Sequence, residues 1–92
     1  MEKEIVWTEV ARKDFWEIAT YLKENWPENV LEHFSHLLDI KIKLVQRHPY
    51  IGFKSAIHSR FRKTLVTKYY LIIYSIKKDH IVIHRIKHTS LK

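Results

Sequence analysis

The sequence predicts an α+β domain: an amino-terminal strand, an antiparallel helical hairpin, and a three-stranded antiparallel meander that completes a small twisted sheet. Three observations predict it. Apolar residues recur at three- and four-residue spacing through the first half of the chain, and β-branched and aromatic residues gather after residue 58. The 92 residues leave no room for a second core, so residues 1–92 read as one domain.

Ile5, Val6 and Trp7 are good strand formers, and Thr8 behind them is a helix-capping type that accepts from the unpaired amides of a first turn. Ala11, Phe15, Ile18, Ala19, Leu22 and Trp26 then form one helical stripe, which Pro27 stops. A second helix is expected from near Asn29, with Leu31, Phe34, Leu38, Ile42 and Val45 on one face. Val30, Leu37 and Leu44 widen that face, so this helix is expected to be buried on two sides. His48-Pro49 and Gly52 end it, and the short link makes the helices an antiparallel hairpin. Strands are expected at 62–68 (RKTLVTK), 69–77 (YYLIIYSIK) and 80–88 (HIVIHRIKH), with Lys78-Asp79 as a tight turn. The run 69–76 is apolar on both parities, which suits a central strand covered on both faces.

The charge is distributed unevenly. Residues 1–50 carry seven Lys/Arg against nine Asp/Glu, a net of −2, whereas residues 51–92 carry ten against one, a net of +9. So one-sided a field attracts an anionic surface: nucleic acid, an acidic protein segment or lipid head groups. With no cysteine, disulfide stapling and thiolate catalysis are excluded, which fits a reducing cytoplasm. No signal-peptide pattern and no apolar run near the roughly 20 residues of a membrane span are present, so a cytoplasmic protein without membrane association is expected.

His80, His84 and His88 stand at four-residue intervals. On a helix they would lie about 6 Å apart and could chelate an ion; on a strand they lie about 13 Å apart and cannot share one. The β-branched residues around them favour the strand, so no metal or other cofactor is expected. His33 and His36 read as a solvated helix face.

The order EIVW, helical hairpin, HPYIG and RKTLVTKYYLIIYSIKKDHIVIHRIKH, ending in Arg-x-x-His, resembles the ParE/RelE superfamily of bacterial toxins from type II toxin–antitoxin modules, from Glu4 to about Ser90. The resemblance implies a small basic toxin neutralised by a cognate acidic antitoxin that wraps over it, with either DNA gyrase or the ribosome with its messenger RNA as target. A homodimer and a toxin–antitoxin hetero-oligomer are both compatible with it. In the RelE-type branch a ribose 2′-hydroxyl attacks the adjacent phosphate, which needs a proton acceptor and cations. Arg62, Lys63 and Arg85 would supply the cations, and His88 the proton transfer, its ordinary pKa lying near neutrality. Two departures count against that branch: Tyr69, Tyr70 and Leu71 stand where many RelE-type members carry a Tyr-Arg pair, and no tyrosine follows Thr89. The arginine-free run from Tyr69 to Ile76, the two long helices and HPYIG look closer to the ParE-like branch, which binds gyrase and needs no catalytic group.

Arg60, Arg62, Lys63, Lys68, Arg85 and Lys87, with the tail TSLK (89–92), are therefore the expected binding region for target or antitoxin. They are expected to share one cationic β surface. Arg85 is singled out because so apolar a strand tolerates a guanidinium only beside a groove or a carboxylate, Glu17 being the acid considered. Trp7, Trp16 and Trp26 read as core or interface anchors. A plain nucleic-acid module would show a helix with several cations on one face, and neither helix does. A stand-alone ribonuclease would need two proton-transfer groups across a cleft.

Overall fold

The computed structural model describes residues 2–90. Leu91 and Lys92 of the TSLK tail lie outside the described residues. The elements run β1 (Glu4–Trp7), α1 (Glu9–Asn25), α2 (Glu28–Arg47), a single 3-10 turn (Pro49–Ile51), β2 (Phe53–Lys54), β3 (Phe61–Leu65), β4 (Tyr70–Ile76) and β5 (His80–His88). They form an α+β domain with one five-stranded mixed sheet in the order β1-β5-β4-β3-β2.

The expected meander is present as β3, β4 and β5, each antiparallel to the next, and β4 is central. Two strands extend it. β1 pairs parallel with β5, Glu4 opposite His80 through Trp7 opposite Ile83. β2 adds two residues beside β3. The expected strands 62–68 and 69–77 are shorter, because residues 66–69 make a turn instead. Thr67 causes it: its hydroxyl accepts from the Tyr69 and Tyr70 amides, at 3.0 and 3.2 Å, a local bond that competes with the ladder.

Pairing assigns the faces. Tyr70, Ile72, Tyr74 and Ile76 of β4 stand opposite His88, Ile86, Ile83 and Ile81 of β5. This face carries the core, since Ile72, Tyr74, Ile81 and Ile83 are fully buried and pack with Ala11, Leu22, Phe34, Leu38 and Val45 of the helices. Leu71, Ile73 and Ser75 look the other way, and among the described residues no helix covers them. On the second apolar side of α2, Val30 and Leu37 are half-buried against the core, whereas Leu44 is 39% exposed, as is nearby Ile40 at 47%, so that side is covered only in part where two buried sides were expected.

α1 starts where β1 stops. Thr8 caps it, its hydroxyl accepting from the Ala11 amide at 3.0 Å while donating to the His84 carbonyl at 3.1 Å. The Thr8 amide donates to the Ile83 carbonyl at 3.1 Å. β1 ends there, so the β5 edge needs another partner beyond residue 84. Asp14 supplies it: one carboxylate oxygen accepts the Ile86 amide at 3.0 Å and Arg85 Nε at 2.8 Å, and the other accepts the second guanidinium donor at 3.2 Å. A helix carboxylate thus substitutes for a strand.

The loop 49–52 is held from inside the core. Tyr74 donates to the Pro49 carbonyl at 2.6 Å and accepts from the Gly52 amide at 3.0 Å. A Cβ on Gly52 would lie 2.6 Å from that hydroxyl and 2.9 Å from the Lys63 carbonyl, so close approach requires glycine here. Its φ of −73° is ordinary.

Two stability predictions follow from these contacts. Asp14→Ala leaves a buried amide unpaired and is expected to cost about 2–3 kcal/mol in urea unfolding. Arg85→Ala, which leaves the Asp14–Ile86 bond intact and removes a half-exposed guanidinium, is expected to cost only about 1 kcal/mol; equal costs would contradict the edge-capping role. Gly52→Ala is expected to destabilise by about 1–3 kcal/mol through overpacking, measured the same way, and an unchanged midpoint would show that the loop is looser than described.

Candidate partner interface on the sheet and its rim

The cations singled out in the sequence do not all share one surface. Arg62 pairs with Tyr74 and so looks toward the helix side, whereas Lys63 pairs with Ile73 and looks away from it. Arg62 is committed to structure: its guanidinium donates to the Gly52 carbonyl at 2.8 Å and the Tyr50 carbonyl at 3.3 Å, and lies 4.9 Å from the Tyr50 ring centre. Arg85 is committed as well. Its partner is Asp14 rather than Glu17, and the hydrogen bond to that carboxylate, more than burial opposes it, raises the affinity of the guanidinium for its proton. The bidentate fork matches the geometry that favours arginine over lysine.

Lys63 and Arg85 do flank one residue, since Ile73 pairs with both. A bulge at Ile73/Tyr74 inserts His84 into β5, so His84 and Arg85 project from the same uncovered face. His84 packs at 4.9 Å against the Phe61 ring, and its Nε2 shares a 2.7 Å hydrogen bond with the buried Ser75 hydroxyl. Burial depresses the His84 pKa below its ordinary value, and the Lys77 and Arg60 charges push it the same way. Arg60 lies 5.7 Å from the Phe61 ring centre. Lys87 pairs with Leu71 on this face.

His88 is elsewhere. It pairs with Tyr70 on the helix side, 5.2 Å from that ring and 6.3 Å from Tyr69, and its Nδ1 accepts from the Ser90 amide at 3.1 Å. Along β4, the His88 partner Tyr70 and the Arg62 partner Tyr74 are four residues apart, about 13 Å. Lys68 sits in the turn beside Tyr69, its Nζ 5.1 Å from the ring. These residues border an apolar groove of about 540 Å³ between the hairpin and the 66–69 turn, with Trp26, Phe34 and Leu37 on its floor and walls. Burial raises the Tyr70 pKa, with Tyr21 adding to it. Among the tryptophans, Trp7 packs edge-on to Phe15 at 6.5 Å, while Trp16 and Trp26 are 69% and 53% exposed and lie outside the core. β5 is a strand throughout, but the extra residue at the bulge breaks its alternation, so His84 and His88 face opposite sides of the sheet.

Sequence reasoning passed over Asp14. The signal was present: an acid on the buried stripe between Ala11 and Ile18, and one arginine in an apolar strand, are a pair waiting to be matched. It also passed over Tyr50, Phe53 and Ile57, which are 71%, 82% and 84% exposed on the rim beside β2.

A family model described as the ParE toxin of type II toxin–antitoxin system, parDE, matches residues 5–91. No curated protein sequence matches the chain. Among solved structures, the chain is similar to the chromosomal ParDE toxin–antitoxin system from P. aeruginosa, with 17% identity, 95% of this chain and 96% of that chain covered, and a TM-score of 0.78. It is similar to the toxin–antitoxin complex RelBE2 from Mycobacterium tuberculosis, with 17% identity, 96% and 99% coverage and a TM-score of 0.68. The YoeB dimer from Staphylococcus aureus follows at 15% identity, 95% and 97% coverage and 0.67. At these identities the structures speak for the fold.

His84 yields a pH prediction. The unfolded chain takes up a proton at this residue near pH 6.5 and the folded chain only at lower pH. Stability is therefore fully present above about pH 6.5 and falls as the pH drops toward the folded value. In urea melts at pH 7 and pH 5, His84→Gln is expected to lose part of the wild-type difference; an unchanged difference would assign the titration to other histidines.

Proposed function

The chain belongs to the ParE toxin family of type II toxin–antitoxin systems, within the ParE/RelE superfamily, and from that premise we propose that it arrests growth by binding, as a ParE-like poison of DNA gyrase. The family makes it the toxin of a module whose partner is a cognate antitoxin. The observation that carries the finer reading is the dispersal of His88, Arg62, Lys63 and Arg85. Cleavage at a ribose 2′-hydroxyl needs a proton acceptor within about 3 Å of its target and a cation at the same phosphate. His88 has Tyr69 and Tyr70 as ring neighbours on the helix side, Arg62 holds loop carbonyls, and Arg85 holds Asp14. Lys63 projects from the uncovered face, away from His88. A binding protein needs no such convergence, and an uncovered face of Phe61, Leu71 and Ile73 edged by Lys63 and Lys87 suits contact with a macromolecule.

The alternative, a RelE-like messenger RNA endonuclease acting on the ribosome, rests on His88, which borders the apolar groove together with Lys68. Both targets belong to the cytoplasm, where the toxin would act. Antitoxin binding and toxicity are mutually exclusive in this account, because an acidic partner would cover the same basic strands.

In a gyrase supercoiling assay the pure chain is expected to inhibit, His88→Ala to change the half-inhibitory concentration less than about threefold, and the antitoxin complex to leave gyrase active. This substitution touches neither the Asp14 nor the Tyr74 contacts. Ribosome-programmed messenger cleavage that His88→Ala abolishes would overturn the reading in favour of catalysis.

A further inference from the structure

The hairpin carries a second groove, beside β1 and apart from the one at Tyr70. It holds about 390 Å³ between α1 and α2, with Trp7, Phe15, Leu38 and Ile42 as its apolar lining. Its rims are two pairs at one-turn spacing, Arg12 and Trp16 on α1 and Ser35 and Asp39 on α2. Trp16 is 69% exposed and lies edge-on to Phe15, with 6.4 Å between ring centres. The Arg12 side chain is exposed and, among the described residues, has no ion-pair partner, whereas Asp39 holds the exposed Lys43 of its own helix at 3.0 Å. Tryptophan and arginine are among the side chains most enriched at binding hot spots, and here both stand at the edge of an apolar groove that their own chain leaves open.

The charges on the rims select the occupant. α1 ends at Asn25 and α2 begins at Glu28. Counted from that junction, Arg12 is 13 residues back along α1 and Asp39 is 11 forward along α2, while Trp16 and Ser35 are 9 and 7 away. At the rise of a helix each pair differs in height by about 3 Å, so Arg12 stands across from Asp39 and Trp16 across from Ser35. The groove therefore offers a cation on one rim and an anion on the other. A nucleic acid or an acidic segment laid there would set its own charge against Asp39. A second copy of the chain does not. Under a two-fold axis running along the groove, α1 of each copy lies on α2 of the other at equal height, which brings Arg12 to Asp39 twice. Trp16 of each copy then passes the Ser35 rim into the apolar lining of the other. Net charge points the same way, because two chains of +7 repel least through the half that carries −2. Lys63 and Lys87 project from the face of the sheet that the helices leave uncovered, so they stay apart in this arrangement.

We infer that the chain associates with a second copy of itself through this groove, as an isologous four-helix contact anchored by Trp16 and by two symmetric Arg12–Asp39 pairs. The inference is independent of the gyrase and ribosome readings, since it uses none of the residues assigned to either. It leaves the uncovered face of the sheet free on both copies.

Sedimentation equilibrium of the purified full chain tests this, since it separates 11.3 kDa from twice that mass. At about 100 µM the wild type is expected to be mainly dimer. Arg12→Asp, Asp39→Arg and Trp16→Ser are each expected to weaken dimerisation about tenfold or more. All three positions are exposed, so folding is expected to stay intact, which far-ultraviolet spectra and urea midpoints check at a dilution where the wild type is monomeric. The charge swap gives the sharpest reading. Arg12→Asp places acids on both rims and Asp39→Arg places bases on both, so an equimolar mixture of the two is expected to form the heterodimer. The double variant Arg12→Asp/Asp39→Arg is expected to dimerise within about threefold of wild type. A wild type that sediments at 11.3 kDa overturns the proposal. So does a dimer that all three single variants leave unchanged, and so do single swaps whose loss neither the mixture nor the double variant restores.

Discussion

One carboxylate completes the sheet. β1 pairs with β5 only as far as Trp7 and Ile83, and α1 begins immediately. The second half of β5 would have an unpaired edge if Asp14 did not accept the Ile86 amide and the Arg85 fork together. An unpaired amide in that position would cost about as much as one or two core methylenes contribute. By taking over the edge, Asp14 also fixes how α1 lies, and through the two-residue link it fixes α2 and the core beneath the hairpin. Asp14 is nonetheless only 9% exposed, so the carboxylate is tolerable there solely because every one of its bonds is charge-assisted or made to backbone.

This constraint bears on function through what it leaves over. A domain with ten cations and one acid after residue 50 would be expected to hold a phosphate-gripping site. Two of the three arginines in its strands and rim that suggested one are instead internal fasteners: Arg85 ties β5 to α1, and Arg62 ties β3 to the 49–52 loop. What remains free is arranged as a perimeter, with Lys63 and Lys87 on the uncovered face and Arg60 and Lys54 at the β2 rim. A perimeter of cations around apolar surface attracts and orients an acidic partner. It does not concentrate charge on one bond.

The element order was legible because it rests on local rules. Thr8 and Pro27 mark the ends of α1, Lys78-Asp79 marks the β4–β5 turn, and the two periods distinguish helix from strand. Features made by distant pairing were not. β2 is two residues long and is a strand only because β3 lies beside it. The 66–69 turn contains no Gly or Pro and is written in β-branched residues, so it reads as strand until the Thr67 hydroxyl is seen to bind the amides after it. Arg62 and Lys63 are neighbours in sequence and therefore opposite in face, a consequence of the two-residue period that composition alone hides. Asp14 and Arg85 are 71 positions apart, and nothing local joins them. The bulge at His84 shifts register by one and puts His84 beside Arg85 on the uncovered face, away from His88.

The direct test of this account is the exchange rate of the Ile86 amide, followed by NMR in the free chain at neutral pH. If Asp14 substitutes for a strand, this amide is protected as well as the central β4 amides of Ile72 and Tyr74, to within about tenfold. Exchange as fast as at an exposed sheet edge would contradict it, and with it the view that Arg85 serves the fold.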